Sequence, residues 1–377
     1  MKLGILGHGV VGSGVTSILN NLKNEEIEVK RILVKDEIEV VNDKMTTNYQ
    51  DIFNDEEIDT IIECMGGLEP AHKFAVEALT SKRNFITSNK KMFATFAKEL
   101  FDLAKDNSVE LMFEASVGGG IPWIDNINRV RSIDEISEIE GIFNGTTNYI
   151  LTRMTNEGIS FEEALKRAQE LGYAEFDPTD DIDGYDVMYK IMISTIVSSD
   201  ALINLEDITR FGIRNIDSKD IIYAKNNDYV IKLIGTSKKV DDKVVAYVMP
   251  KLIKKNNLFA NINMNDNALS LVSTTLGRAS FVGQGAGSLP TAHAVVQNIF
   301  DVKNNQAKMI ELKEMEVDNS LEIKKFYIRS NDINLYESAV DSKIDDNSII
   351  TKNISLKELE DITKEDKDVF VMEVSDD

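Results

Sequence analysis

The first twenty-one residues constrain this chain more tightly than any other stretch. Lys2-Leu3-Gly4-Ile5-Leu6 is a short apolar run, Gly7-His8-Gly9-Val10-Val11-Gly12 follows at once, and Val15, Ile18 and Leu19 then recur at helical spacing. Strand, glycine turn and helix in that order give G-x-G-x-x-G its meaning as a dinucleotide-binding turn. Gly7 permits the turn, Gly9 lets the backbone approach a pyrophosphate, and Gly12 allows close packing of the helix. The helix start, at Val10 and Val11, then offers amide donors and a positive dipole end to the phosphates. Read as a sequence, the hexad predicts a doubly wound parallel sheet.

The pattern continues in the same sense. Ile27 to Val34 reads as a second strand, Thr60 to Cys64 as a third, with a turn at Met65-Gly66-Gly67 and a helix from about Pro70 to Ser81. Asn84 to Thr87 and Val109 to Phe113 read as further strands, separated by a helix running through Phe93 to Lys105. Alternating apolar strands and amphipathic helices predict an α/β domain with a Rossmann-like parallel sheet. The second strand ends at Lys35-Asp36, a cation that suits a 2′-phosphate beside an acid that suits a ribose hydroxyl. NADP or NAD is the expected cofactor, with a lean to NADP through Lys35.

The most informative chemical stretch is Asp177-Pro178-Thr179-Asp180-Asp181-Ile182-Asp183-Gly184-Tyr185-Asp186, followed by Lys190. Asp186 and Lys190, at i and i+4, share a helix face. A solvated acidic loop capping a helix is the bland reading. The functional reading is a cluster that holds an ammonium group beside a proton donor.

Composition narrows the class. The net charge of −22 repels phosphate backbones and argues against nucleic acid as a partner. No apolar run approaches the roughly 20 residues of a membrane helix, and the start lacks the pattern of a signal peptide. The single cysteine, Cys64, fits a reducing, cytoplasmic setting, and His8, His72 and His293 are too scattered for a Cys/His zinc site.

Taken in order, these motifs resemble homoserine dehydrogenase over about residues 1 to 305. The match is carried by Gly7 to Gly12, Thr87-Ser88-Asn89-Lys90, Glu114-Ala115-Ser116-Val117-Gly118-Gly119-Gly120-Ile121-Pro122 and Gly141-Ile142-Phe143-Asn144-Gly145-Thr146-Thr147-Asn148-Tyr149-Ile150. It continues in Gly172-Tyr173-Ala174-Glu175 through Lys190 and in Gly283 to Ala292. The resemblance implies reduction of L-aspartate 4-semialdehyde to L-homoserine with NADPH or NADH. It implies Lys190 and Lys90 as lysines at the reacting end, Glu175 and Asp186 on the substrate's amino group, and Asp181 in the same pocket. It further implies cofactor contacts at Gly7, Gly9, Val10, Val11, Gly12, Lys35, Gly66, Lys90 and Gly287. A structural monovalent cation such as sodium is implied on the Glu114 side chain and the carbonyls of Val117, Gly119 and Ile121. Val10, Ser88 and Phe176 depart from the usual pattern, and a histidine often found late in the substrate domain is replaced within Lys255 to Leu258.

The expected organisation is a nucleotide domain over 1–130, rejoined by about 285–305, and an α+β substrate and dimerisation domain over 131–284. Strands are expected at Val244 to Val248 and Leu269 to Thr275 of the latter, with a homodimer as the assembly. Residues 311–377 are strongly acidic and carry two strand-like runs, Leu321 to Arg329 and Val369 to Val374, with Ser330-Asn331-Asp332-Ile333 where a glycine turn is expected. They read as a short, degenerate ACT-like tail. Two other functions are weighed. An aspartate-semialdehyde dehydrogenase needs a cysteine nucleophile with a histidine base, and Cys64 has no evident partner. A non-catalytic NADP-binding sensor is opposed by the retained lysine pair.

Overall fold

The computed structural model describes residues 1–306 and 310–375, so Asp376 and Asp377 of the acidic tail lie outside it. The chain divides into two compact units, Met1–Arg129 with Gln284–Leu312, and Val130–Gly283 with Lys313–Asp377.

The first unit is built on a six-stranded sheet: β1 (Lys2–Leu6), β2 (Glu28–Leu33), β3 (Met45–Thr46), β4 (Thr60–Glu63), β5 (Asn84–Thr87) and β6 (Leu111–Met112). The order is β3-β2-β1-β4-β5-β6, every pairing is parallel, and the order reverses between β1 and β4. Such sheets are covered on both faces, which is why β4, Thr-Ile-Ile-Glu, is buried along its whole length. The expected strand from Val109 to Phe113 shortens to two residues, because Phe113 leaves the extended region and Glu114 opens a 3₁₀ turn. Helix α1 (Val10–Leu22) follows β1. It packs against the helix Ser288–Lys303, and a Cβ on Gly14 would come within 2.8 Å of the Ala292 Cβ. Helices α2 (Ala71–Thr80) and α3 (Lys90–Asn107) follow β4 and β5. Leu3, Ile5, Val15, Ile62, Ile86, Val295 and Ile299 share one apolar core.

The second unit carries β7 (Ile136–Ile142), helices α4 (Gly145–Glu157), α5 (Phe161–Glu170) and α6 (Tyr185–Ser199), then β8 (Tyr229–Val240), β9 (Lys243–Lys254), β10 (Asp266–Ser273) and β11 (Gly277–Gln284). β8 and β9 form a twelve-pair antiparallel hairpin closed by Asp241-Asp242, with Asp241 at φ 53° as tight two-residue turns require. Helix α6 lies on this sheet at Gly235, where a Cβ would stand 2.6 Å from Ile191 and 2.7 Å from Val187.

The acidic tail continues the same sheet. Four strands, β12 (Phe326–Arg329), β13 (Val340–Lys343), β14 (Ser348–Thr351) and β15 (Phe370–Val374), are joined by a 3₁₀ segment at Ile333–Ala339 and by helix α7 (Leu356–Thr363). Their order β15-β12-β14-β13 is antiparallel throughout, the arrangement of a split β-α-β fold whose first helix is reduced. β15 then pairs with β9, Lys251 opposite Glu373. The single strand expected from Leu321 to Arg329 is broken at Lys325. Ile323–Lys324 pairs with Ile354–Ser355, while β12 turns to β14 and β15. Among the described residues no helix is long and apolar enough to cross a membrane.

Candidate active site

Each unit carries its own group of candidate residues. In the first, Gly7 takes φ +95°, as the turn after β1 requires. A Cβ on Gly9 would meet nothing within 4 Å, so the backbone there is open to a ligand. A Cβ on Gly12 would fall 2.0 Å from the Gly7 carbonyl oxygen, so only glycine closes this turn; the helix-to-helix approach falls instead on Gly14. Helix α1 starts with no capping side chain and no acidic residue in its first turn, leaving its amides and dipole to an anion. Val10 is exposed and Val11 half-buried at this start. The Ser288 hydroxyl donates to the Val10 carbonyl at 2.6 Å, bringing Gly287, at φ +129°, to the same place. Gly66 is exposed in the turn after β4, and Lys35 and Asp36 are both exposed at the end of β2.

Lys90 is half-buried as the first residue of α3, whose start is capped by Asn89 accepting from the Met92 amide at 3.1 Å. Glu114 is buried, its carboxylate accepting from the amides of Ile124 (3.0 Å) and Asp125 (2.8 Å). Burial, then the charge of Asp125, pushes its pKa up to about 8. The loop beyond it turns through Gly118 at φ +82° and Gly119 at φ +57°, and a Cβ on Gly119 would lie 2.5 Å from the Gly285 backbone. A buried carboxylate held by backbone amides is chemically suited to a cation beside it. Among the described residues no three His, Cys, Asp or Glu side chains gather as a metal group. Burial and Glu63 push the Cys64 thiol well above its ordinary range, the opposite of the lowered pKa that a thiolate nucleophile needs.

In the second unit, Asn144 is the hub. It caps α4, its Oδ1 accepting from the Thr147 amide (2.8 Å) and hydroxyl (2.9 Å). Its Nδ2 donates to Asp181 at 2.6 Å and to Asp186 at 2.9 Å. Asp186 also accepts from the Lys190 ammonium at 2.8 Å, and Lys190 donates to the Phe143 carbonyl at 2.6 Å. Asp186 and Lys190 are 5% and 8% exposed, so this pair works in a low-dielectric setting where each contact counts. The loop ahead of α6 is pinned by Arg214, which donates to both oxygens of Asp183 at 2.8 Å, and by Arg210 stacked 3.5 Å over the Tyr185 ring.

The structure thus brings Asp181, Asp186 and Lys190 into one network. Glu175 stays outside it, exposed on the preceding loop with its carbonyl accepting from Gln169. Asn144 was present in the motif but unassigned a role; its N-cap position before Gly-Thr-Thr was the available signal. Thr147 and Asn148, the polar residues that follow it in that motif, are engaged within the domain. Thr147 bonds to Asn144, and Asn148 bonds to Lys232, Ile262 and Asp266.

A reversed parallel sheet with a glycine turn, in one chain with a buried lysine–carboxylate network, defines a nicotinamide-dependent oxidoreductase. Comparison with known proteins narrows this. The model for the homoserine dehydrogenase NAD-binding domain matches residues 7–114, and that for homoserine dehydrogenase matches residues 122–300. Homoserine dehydrogenase of Bacillus subtilis is 37% identical over 317 residues, covering 81% of this chain and 73% of that protein. That of Synechocystis is 37% identical over 316 residues, covering 80% and 73%. The crystal structure of a homoserine dehydrogenase from Thiobacillus denitrificans superimposes with a TM-score of 0.89 at 28% identity, covering 100% of this chain and 98% of that one. The chain belongs to the homoserine dehydrogenase family, whose reaction interconverts L-aspartate 4-semialdehyde and L-homoserine. These matches do not favour the sensor reading.

Proposed function

We propose that Lys190, held by Asp186 and the Phe143 carbonyl, stabilises and protonates the aldehyde oxygen during reduction, with Lys90 contributing from the nucleotide domain. Reduction of an aldehyde places negative charge on its oxygen, and an ammonium within about 3 Å of it lowers the barrier. When bound, the reduced nicotinamide supplies the hydride. Asp186, Asp181 and Glu175 are the carboxylates proposed to hold the substrate's α-ammonium. The observation that carries this reading is the Asn144 bridge, which hydrogen-bonds to two of those carboxylates, Asp181 and Asp186, while Asp186 accepts from Lys190. The test is oxidation of L-homoserine by the full chain with NADP or NAD at alkaline pH, followed by nicotinamide absorbance. No reduced nicotinamide with either cofactor would overturn it.

The finer cofactor reading is NADP, supported by the exposed Lys35, which can pair with a 2′-phosphate. A monovalent cation such as sodium is proposed on Glu114 and the carbonyls of Val117, Gly119 and Ile121. The assembly proposed is a cytoplasmic homodimer formed through the sheet of the second unit, where Arg278, Ser280 and Val282 of β11 are exposed; sedimentation as a stable monomer would count against it. Domain roles follow as proposals: residues 1–130 with about 285–305 bind nucleotide, 131–284 bind substrate and pair, and 311–377 form a reduced ACT-like region.

A further inference from the structure

Glu63 is a buried carboxylate that takes no part in the chemistry above. It ends β4, beside β1, where the strand order reverses, and ligands of open parallel sheets bind beyond strand ends at such a reversal. Its register partners are Leu6, the residue before Gly7, and Thr87, the last residue of β5. The side chain is fully enclosed. One oxygen accepts the Met65 amide at 2.6 Å and the other accepts the Thr87 hydroxyl at 2.6 Å.

In the ionised carboxylate the direction of these bonds is fixed by chemistry. The Thr87 hydroxyl oxygen accepts from the Asn89 amide at 2.9 Å, so its own proton goes to Glu63. Asn89 donates its side-chain amide to the Gly67 carbonyl at 2.7 Å and caps the helix that begins at Lys90. One carboxylate therefore ties the turn Met65-Gly66-Gly67 to the loop Thr87–Lys90. Burial pushes the Glu63 pKa up to about 7, a cost the fold carries at this spot.

We infer that Glu63 is a positioning residue of the nucleotide half-site, holding the Gly66 turn and the Lys90 helix start in the arrangement that receives the dinucleotide. The inference rests on the reading of Gly66 and Lys90 as cofactor residues. Glutamine in place of this carboxylate turns one of its two acceptor oxygens into a donor, so the Met65 N–H and the Thr87 O–H can no longer both donate to it as they do here. The proton of Thr87 then loses its acceptor and the tie between turn and loop is altered.

The test is equilibrium binding of NADPH to the full chain, with homoserine KM at saturating cofactor as the contrast. Glu63→Gln and Thr87→Val should each raise the NADPH Kd about tenfold or more. Combined, they should be no worse than the weaker-binding single variant, because they cut the same tie. Thr87→Ser keeps the hydroxyl and should bind as wild type, and homoserine KM should stay within about twofold in all. Thr87→Val keeps the inference testable if Glu63→Gln fails to fold. Unchanged NADPH affinity in folded Glu63→Gln or Thr87→Val, additive losses in the double variant, or equal losses in NADPH and homoserine affinity would overturn it. A Lys90→Ala variant with wild-type NADPH affinity would instead strike the cofactor reading beneath it.

Discussion

Asp186 and Lys190 stand one turn apart on a single helix, carboxylate to ammonium at 2.8 Å, and both are almost wholly enclosed. An i,i+4 pair at a surface contributes a few tenths of a kcal/mol. In this enclosed setting, removing one member takes its charged partner from a buried charge, and the loss grows to roughly 3 kcal/mol. Lys190→Ala should lower kcat at least a hundredfold while NADPH affinity changes little, because the loss falls at the reacting oxygen. Turnover within tenfold of wild type in steady-state assays would take Lys190 out of the chemistry.

Asn144 gives a second expectation. Asn144→Ala removes the cap of α4, worth about 1 kcal/mol, and frees Asp181 from Asp186. Homoserine KM should rise about tenfold, with a fall in Tm of several degrees. Asn144→Asp would keep the cap but set a third carboxylate against Asp181 and Asp186, and should weaken turnover more than it weakens the fold. An Asn144→Asp enzyme with wild-type kcat and KM would show that the bridge does not order the acids.

Much of this was legible in the sequence. The glycine hexad announced the β1–α1 turn because glycine alone tolerates φ +95° at Gly7 and the 2.0 Å approach at Gly12. Asn84–Thr87 was bounded correctly because apolar residues run between an Arg-Asn start and a Ser-Asn helix cap. What pattern could not supply were pairings between distant segments. Glu373 opposite Lys251, Asn319 bonded to both Thr209 and the Ala246 carbonyl, and Lys232 bonded to Asn148 join residues far apart in sequence, and no local periodicity encodes them. The break at Lys325 was missed for the same reason, since Leu321 to Arg329 is uniformly strand-like while its partners change midway.

The proposed preference for NADP rests on Lys35. It is exposed beside Asp36 at the end of β2 and lies clear of the core, so its removal should not disturb the fold. Lys35→Ala should raise the KM for NADP severalfold and leave that for NAD nearly unchanged, because the lost partner is the 2′-phosphate. An equal rise for both cofactors in parallel assays would remove Lys35 from the discrimination.

Glu114 predicts a dependence on pH and on cations together. Its folded pKa of about 8 lies above the carboxylate's ordinary 4.5, so the folded state binds more protons than the unfolded state between those values. Stability therefore falls as pH rises from about 5 to 8, by on the order of 3 kcal/mol if nothing compensates. A monovalent cation on the ionised carboxylate would offset this. Adding sodium chloride in place of a bulky organic cation salt at equal ionic strength should raise Tm more at pH 8 than at pH 5. Glu114→Gln should abolish that difference; a sodium effect that persists in the variant, seen by thermal melts, would place the cation elsewhere.

The tail gives the last expectation. Glu373 on β15 accepts from the Tyr247 hydroxyl at 2.9 Å and lies 3.2 Å from the Lys251 ammonium, which also donates to Glu140 at 2.9 Å. Burial alone would lower the Lys251 pKa, but Glu140 and Glu373 together hold it well above its ordinary value, so the ammonium stays charged. Glu373→Ala leaves Lys251 with one carboxylate and takes the acceptor from Tyr247, which should cost about 3 kcal/mol and lower Tm. Deleting residues 311–377 should cost more still, because it strips β15 from β9 and uncovers Val245, Tyr247 and Met249, which share a core with Phe326, Ile328 and Val371. For that reason any threonine effect must be read in the intact chain. The turn Ser330-Asn331-Asp332 follows β12 without a glycine, and the Ser330 amide donates to the Asn347 carbonyl at 2.9 Å while its carbonyl accepts from the Asn347 side chain at 3.2 Å, so both backbone groups of Ser330 are already engaged. Millimolar threonine should therefore leave the rate of homoserine oxidation unchanged. Saturable inhibition that is lost in Ser330→Ala, with Tm preserved, would show that this reduced domain still senses an amino acid.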